Sequence, residues 1–175
     1  MLPQQDFSFI HSYFTGEKKE SILFLLAGLV ACLTAVLFFF FIKSGGSFFK
    51  GMAIPLFVIG AILSVVGYTI YARSDRQRTE VAYQTGLDPK GYIRHVELPR
   101  MRTVMKNFVV YRYVEIVLLL AGLGLYVYFI RDLRHDFWRG MGLGLAIMAV
   151  FSLVADYFAE RRGGVYTAEI ERLIQ

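Results

Sequence analysis

The 175 residues are 56% hydrophobic and only 19% charged, with a formal net charge of +5 and a single cysteine. So apolar a composition excludes an ordinary soluble domain, and one cysteine excludes an intrachain disulfide. The basic excess calls for no nucleic-acid partner, because a cytoplasmic rim facing anionic lipid headgroups accounts for it.

In chain order, residues 1–20 read as a cytoplasmic arm. Its Phe7, Phe9, Ile10, Tyr13 and Phe14 predict a short amphipathic helix at the membrane interface. The first apolar block, 21–42, is long and is followed by no small-residue cleavage pattern, so it reads as a retained span rather than a signal peptide. A turn at Lys43 and Gly45–Gly46 leads to the second span, 52–71, which carries Pro55 near its start. These two spans form a first hairpin over 21–71.

Residues 72–107 form a polar segment expected to hold short helices on the cytoplasmic side. The helix of the second span is expected to continue into it, with Gly86 and Asp88–Pro89 as the break. A second hairpin covers 108–159, with spans at 113–130 and 140–159. Gly163–Gly164 is expected to end the last membrane helix, leaving 160–175 as a short amphipathic cytoplasmic helix. Each span is near the roughly 20 residues that cross a bilayer as helix.

The two hairpins repeat. Residues 22–29, ILFLLAGL, return at 116–123 as IVLLLAGL; 48–60, FFKGMAIPLFVIG, return at 137–149 as FWRGMGLGLAIMA. The offsets are 94 and 89 residues. Each copy holds two spans, so both copies have the same orientation, related by a pseudo-twofold axis along the membrane normal. The expected fold is therefore an all-α integral membrane protein, four transmembrane helices in two tandem hairpins.

Only Lys43, Lys50, Arg131, Arg134 and Arg139 fall on the two short loops, while fourteen lysines and arginines fall on the arm, the 72–107 segment with its flanks, and the tail. The positive-inside rule then puts both termini in the cytoplasm. With the compact two-hairpin plan, this reads as a bacterial inner-membrane protein.

Small residues four apart let helices approach closely in lipid. Ala27, Ala31 and Ala35 form such a row on the first span, Gly60 and Ser64 on the second, Gly140 and Gly144 on the fourth. Helix packing or self-association is the expected role, and for the Gly140–Gly144 run a pore- or substrate-facing one is the alternative. Ionisable residues within spans are functional candidates by default. Glu115 and Asp156 qualify, with Arg112 one turn before Glu115. The plain reading pairs Glu115 with Arg112, and Asp156 with Arg161 or Arg162; the alternatives are a proton or cation site, or a catalytic carboxylate pair.

His11, His95 and His135 are scattered along the chain, so neither a metal nor any other cofactor is expected. Cys32 lies mid-span with no histidine in the same span, and no serine sits in a nucleophile elbow, so no nucleophilic mechanism is indicated. Three function classes follow. The first is a non-enzymatic protein that binds or neutralises a membrane-active partner, an immunity protein against a membrane-targeting toxin being one example. The second is a small oligomeric transporter or channel using Glu115 and Asp156; the third is an interfacial membrane enzyme. The expected contacts are the lipid bilayer, a membrane-protein or toxin partner, or further copies of the chain. The identity of that partner is not written in the sequence.

Overall fold

The computed structural model describes residues 8–42 and 47–175, and it is all-helical, with no strand among them. Helix α1 spans Ser8–Phe40, α2 Phe48–Leu87, α3 Pro89–Tyr92, α4 Leu98–Tyr128 and α5 Asp136–Ile174. A π turn, Ile93–Glu97, joins α3 to α4, and a 3-10 turn, Leu133–His135, precedes α5. Among the described residues four helices are long and apolar enough to cross a membrane: α1, α2, the continuous α3–α4 stretch Pro89–Tyr128, and α5. The chain is a multi-pass membrane protein. The turn expected at Lys43 and Gly45–Gly46, like Phe7, lies outside the described residues.

Helices α2 and α5 have 40 and 39 residues. At 1.5 Å per residue each is about 60 Å long, roughly twice the hydrocarbon thickness. The surplus gathers at one end and makes a helical cap. Its core takes Ile10, Tyr13 and Phe14 from α1, Val81 from α2, Ile93 from the π turn, Leu98 and Met101 from α4, and Tyr166 and Ile170 from α5. Ile93, Met101 and Ile170 are wholly buried.

This cap changes two sequence expectations. The arm is not a separate interfacial helix: α1 runs unbroken from Ser8, and Ile10 and Phe14 face the cap core. Nothing between Lys18 and Ser21 breaks a helix, and burial against Tyr166 replaces burial in headgroups. Gly163–Gly164 does not end α5, which continues to Ile174. Gly163 serves close packing instead, since a Cβ there would lie 3.2 Å from the Met105 sulfur. The 72–107 segment is largely the continuation of α2 and the start of α4, with α3 and the π turn between. Its break falls where expected: α2 stops at Leu87, and the Asp88 side chain accepts a hydrogen bond from the Gly91 amide (2.9 Å) ahead of Pro89 at the first turn of α3.

Below the cap, α1 packs on α2, α4 on α5, and α2 on α5. No comparable α2–α4 or α1–α4 interface forms among the described residues. The contacts are backbone on backbone, as lipid-embedded packing favours. A Cβ on Gly28 would sit 2.5 Å from the Gly60 carbonyl oxygen, and one on Gly60 would meet Ala31 at 2.9 Å. Between α2 and α5, a Cβ on Gly51 would lie 1.9 Å from the Phe137 carbonyl oxygen, and one on Gly140 1.9 Å from that of Phe48.

Candidate functional site

The small residues divide cleanly by face. Gly140 and Gly144 are one helical turn apart and both meet α2, at Phe48 and at Met52 with Pro55. Gly142, two residues on from Gly140, points the other way and meets Gly122 and Tyr126 of α4. Ser64 lies beside Gly28, and its hydroxyl donates back to the Gly60 carbonyl (2.9 Å). Ala35 is buried with Ala53, Leu56 and Met148, and Ala31 packs against that cluster; Ala27 is half-buried. These residues lie where the bundle helices approach one another.

The repeated glycines do not hold equivalent depths. Gly28 meets Gly60 and Ser64, whereas Gly122 meets Gly142 and Ala146. The 89-residue offset carries Gly60 to Ala149, yet Gly122 meets Gly142, seven residues nearer the loop, a shift of about 10 Å. The cause is steric. The position matching Ser64 is Leu153, too bulky for such an approach, while Gly142 offers a new small site where the first copy has Ala53.

Glu115 and Asp156 are brought together. Both line a cavity of about 170 Å³ between α4 and α5, with Phe108, Arg112, Leu153, Tyr157 and Glu160. Arg112, however, pairs with Glu160 and not with Glu115. One Glu115 carboxylate oxygen is buried with no hydrogen-bond partner. Arg162 pairs with Glu20 on α1, so the simple neighbour pairing expected for Asp156 is not what the structure contains. Among the described residues no group of three histidine, cysteine or acidic side chains is arranged to hold a metal ion. His135 pairs with Asp132 (2.8 Å), and the Cys32 thiol lies 3.7 Å from the Phe57 carbonyl oxygen.

Sequence reasoning missed a charged network in the cap. Glu97 is 1% exposed and accepts from Arg100 through both oxygens, Nη2 to Oε1 at 2.6 Å and Nε to Oε2 at 2.9 Å. The Tyr166 hydroxyl donates to the same Oε1 at 2.7 Å. Such a bidentate, fully partnered carboxylate is the form in which a buried charge is tolerated. Burial and the Glu97 charge both push the Tyr166 hydroxyl far above its ordinary pKa, so it stays a donor. Tyr13 stacks on Tyr166 with ring centroids 4.2 Å apart, and Arg162 lies over the Tyr13 ring. Glu17 is buried, accepts from the Ser74 hydroxyl (3.3 Å) and faces Arg73 at 3.9 Å. Burial pushes the Glu17 carboxyl up, against the opposing pull of Arg73, Arg162 and Arg100.

Where cap meets bundle, a cleft of about 430 Å³ opens. Its cap-side wall holds Tyr13, Glu17, Arg73, Arg100 and Arg162; Asn107, Tyr111 and Asp156 also reach it. The membrane-side wall is apolar, with Phe24, Val65, Val66, Ile70, Val104 and Phe108. Residues of α2 and α4 face each other across it without packing together. The arrangement suits binding of something part apolar and part anionic. No family model, curated protein or solved structure matches this chain.

Proposed function

We propose that this chain is a non-enzymatic membrane protein that binds a membrane-active partner through the outer faces of its spans. The observation behind the reading is how little of those faces the chain uses itself. Only 11% of the apolar window is buried in α1, and the same share in the span that includes α4. Meanwhile the cap fixes the helix ends by side-chain packing and paired charges, so the exposed faces are held at set positions. A rigid frame presenting unspent apolar helix surface fits recognition of another membrane protein, including neutralisation of a membrane-targeting toxin.

The finer architecture belongs to the same reading. The reciprocal approach of Gly51 to Phe137 and Gly140 to Phe48 maps onto itself when the copies are exchanged by 89 residues. That supports two tandem hairpins about a local twofold axis. The lysine and arginine bias supports a cytoplasmic cap, with both termini inside a bacterial inner membrane.

The test is site-specific photo-crosslinking in the native host. Probes at Leu33 on α1 and Leu120 on α4, both well exposed, are compared with one at Phe14, buried in the cap. A discrete protein adduct from an outer face, absent from the cap probe, is expected. Lipid adducts alone at both outer positions would overturn the reading.

A second reading is carried by the shared cavity of Glu115 and Asp156. Two span carboxylates in one small space is the arrangement a cation or proton carrier uses. In proteoliposomes Glu115→Gln or Asp156→Asn would then abolish cation-coupled flux with the fold intact. Flux absent from the wild-type chain would remove that reading.

A further inference from the structure

We infer that the cleft between α2 and α4 binds an anionic amphiphile. A phosphate or carboxylate group rests against Arg73 and Arg162, and the hydrocarbon chain leaves sideways over Val66 and Val104 into the bilayer. This goes beyond the partner reading and stands without it, because it concerns the inner cleft and not the outer faces.

Size comes first. A volume of about 430 Å³ lies in the range of ordinary small-molecule sites. Polarity is then graded along the cleft: Phe24, Val66, Val104 and Phe108 line its membrane side, while the guanidinium groups stand at the cap. A molecule charged at one end and apolar at the other is complementary to that gradient. The three arginines are not equally committed. Arg100 is held by both oxygens of Glu97. Arg162 pairs with Glu20 through Nη1, but its buried Nε has no hydrogen-bond partner. Arg73 is half exposed, and its 3.9 Å approach to Glu17 is an ion pair too long for a hydrogen bond.

Arg73 therefore keeps its hydrogen-bond donors unspent at the charged end of the cleft, and Arg162 lines the same end. Glu17 and Asp156 also line it and reduce its affinity for an anion. With Arg100 matched by Glu97 and Arg162 by Glu20, Arg73 is the guanidinium left to meet an anion there, facing Glu17 at 3.9 Å. Burial, which favours the neutral form of Glu17, lessens the opposition. Access is lateral: α2 and α4 do not pack on each other, so an acyl chain already in the leaflet enters without crossing the headgroup layer.

The experiment uses the full chain in nanodiscs of phosphatidylcholine doped with phosphatidylglycerol, extracted in mild detergent and weighed by native mass spectrometry. One retained phosphatidylglycerol per chain, in preference to phosphatidylcholine, is expected. Arg73→Gln should weaken retention about tenfold, the effect of losing roughly one charge-assisted hydrogen bond. Val66→Trp fills the cleft without changing charge and should also abolish retention. Arg102→Gln, which removes the same charge from the exposed Arg102–Glu171 pair, should change nothing. Thermal melting of each variant separates loss of site from loss of fold, and lipid selectivity of the wild-type chain stands even if a variant fails to fold.

Inorganic phosphate that displaces the lipid would support the site with soluble phosphate as a source of its ligand. Failure of phosphate to compete would support the membrane lipid as the source. Equal retention of both lipids, or retention unmoved by both Arg73→Gln and Val66→Trp, would overturn the proposal.

Discussion

The cap and the membrane bundle are built from the same four long helices, yet they are held together by different physics. In the cap, large side chains interdigitate: Phe14, Ile93, Met101 and Ile170 are buried, and Glu97 is locked by Arg100 and Tyr166. Water outside supplies the hydrophobic force that drives this packing. In the bundle that force is missing, because lipid is as apolar as the side chains. Contact there rests on absent side chains, at Gly28, Gly51, Gly60, Gly122 and Gly140, which let backbones touch. One region is specified by what its residues add, the other by what they leave out.

The sharpest way to break the cap is Glu97→Ala. It strands Arg100 and removes the acceptor of Tyr166, and losing one partner of a buried pair costs about 3–5 kcal/mol. The expected result is loss of cap structure by hydrogen exchange over α3 and the ends of α1 and α5, with the spans still protected. Uniform loss across cap and spans would mean that the two regions are not separable.

In the bundle the matched blow is Gly140→Ala. The new methyl would lie 1.9 Å from the Phe48 carbonyl oxygen, so α2 and α5 must part. Overpacking of this kind costs about 1–3 kcal/mol. Denaturation in bicelles should read it as destabilising, with α2–α5 distances increased by spin labels. Gly124→Ala is the control, since nothing lies within 4 Å of a Cβ there. Alanine should be neutral or stabilising by up to about 1 kcal/mol through helix propensity. A cost at Gly124 equal to that at Gly140 would refute the backbone-contact account.

The smallest effect is a pH dependence confined to the cap. The folded-state pKa of Glu17 is raised above its ordinary value of 4.5, first by burial, with Arg73, Arg162 and Arg100 opposing. The folded state therefore binds the proton more tightly than the unfolded chain. Its stabilising contribution is complete below pH 4.5 and is lost as pH climbs through the raised value. Glu17→Gln keeps an acceptor for Ser74 and should flatten that slope. Melting curves from acid to neutral pH that stay parallel for both proteins would show that Glu17 does not titrate in this range.

The same division explains what the sequence made legible. The spans were readable because lipid demands long apolar helices whatever the contacts. The break at Asp88–Pro89 was readable because proline and an aspartate cap act locally. The cap was not, since Glu97 and Tyr166 are 69 residues apart and neither carries a local sign of the other. Gly163–Gly164 misled for a related reason: glycine ends a helix only when nothing beyond holds it, and here Tyr166 and Ile170 are anchored in the cap. Of the site residues, Glu115 and Asp156 were found by their misplaced charge. Arg73 and Arg162 were not, because an arginine at the polar end of a membrane helix is ordinary until the cleft beside it is known.

One consequence follows from the alternation of Gly140, Gly142 and Gly144, which turns one face of α5 to α2 and the other to α4. Helix α5 is the seam on which two earlier-made pieces are sewn together. Helices α1 and α2 pack directly on each other, but among the described residues α4 has no substantial neighbour in the bundle other than α5. The cap core is thus closed by α5: without its Tyr166 and Ile170 that core stands open, with the aromatic face of α1 uncovered.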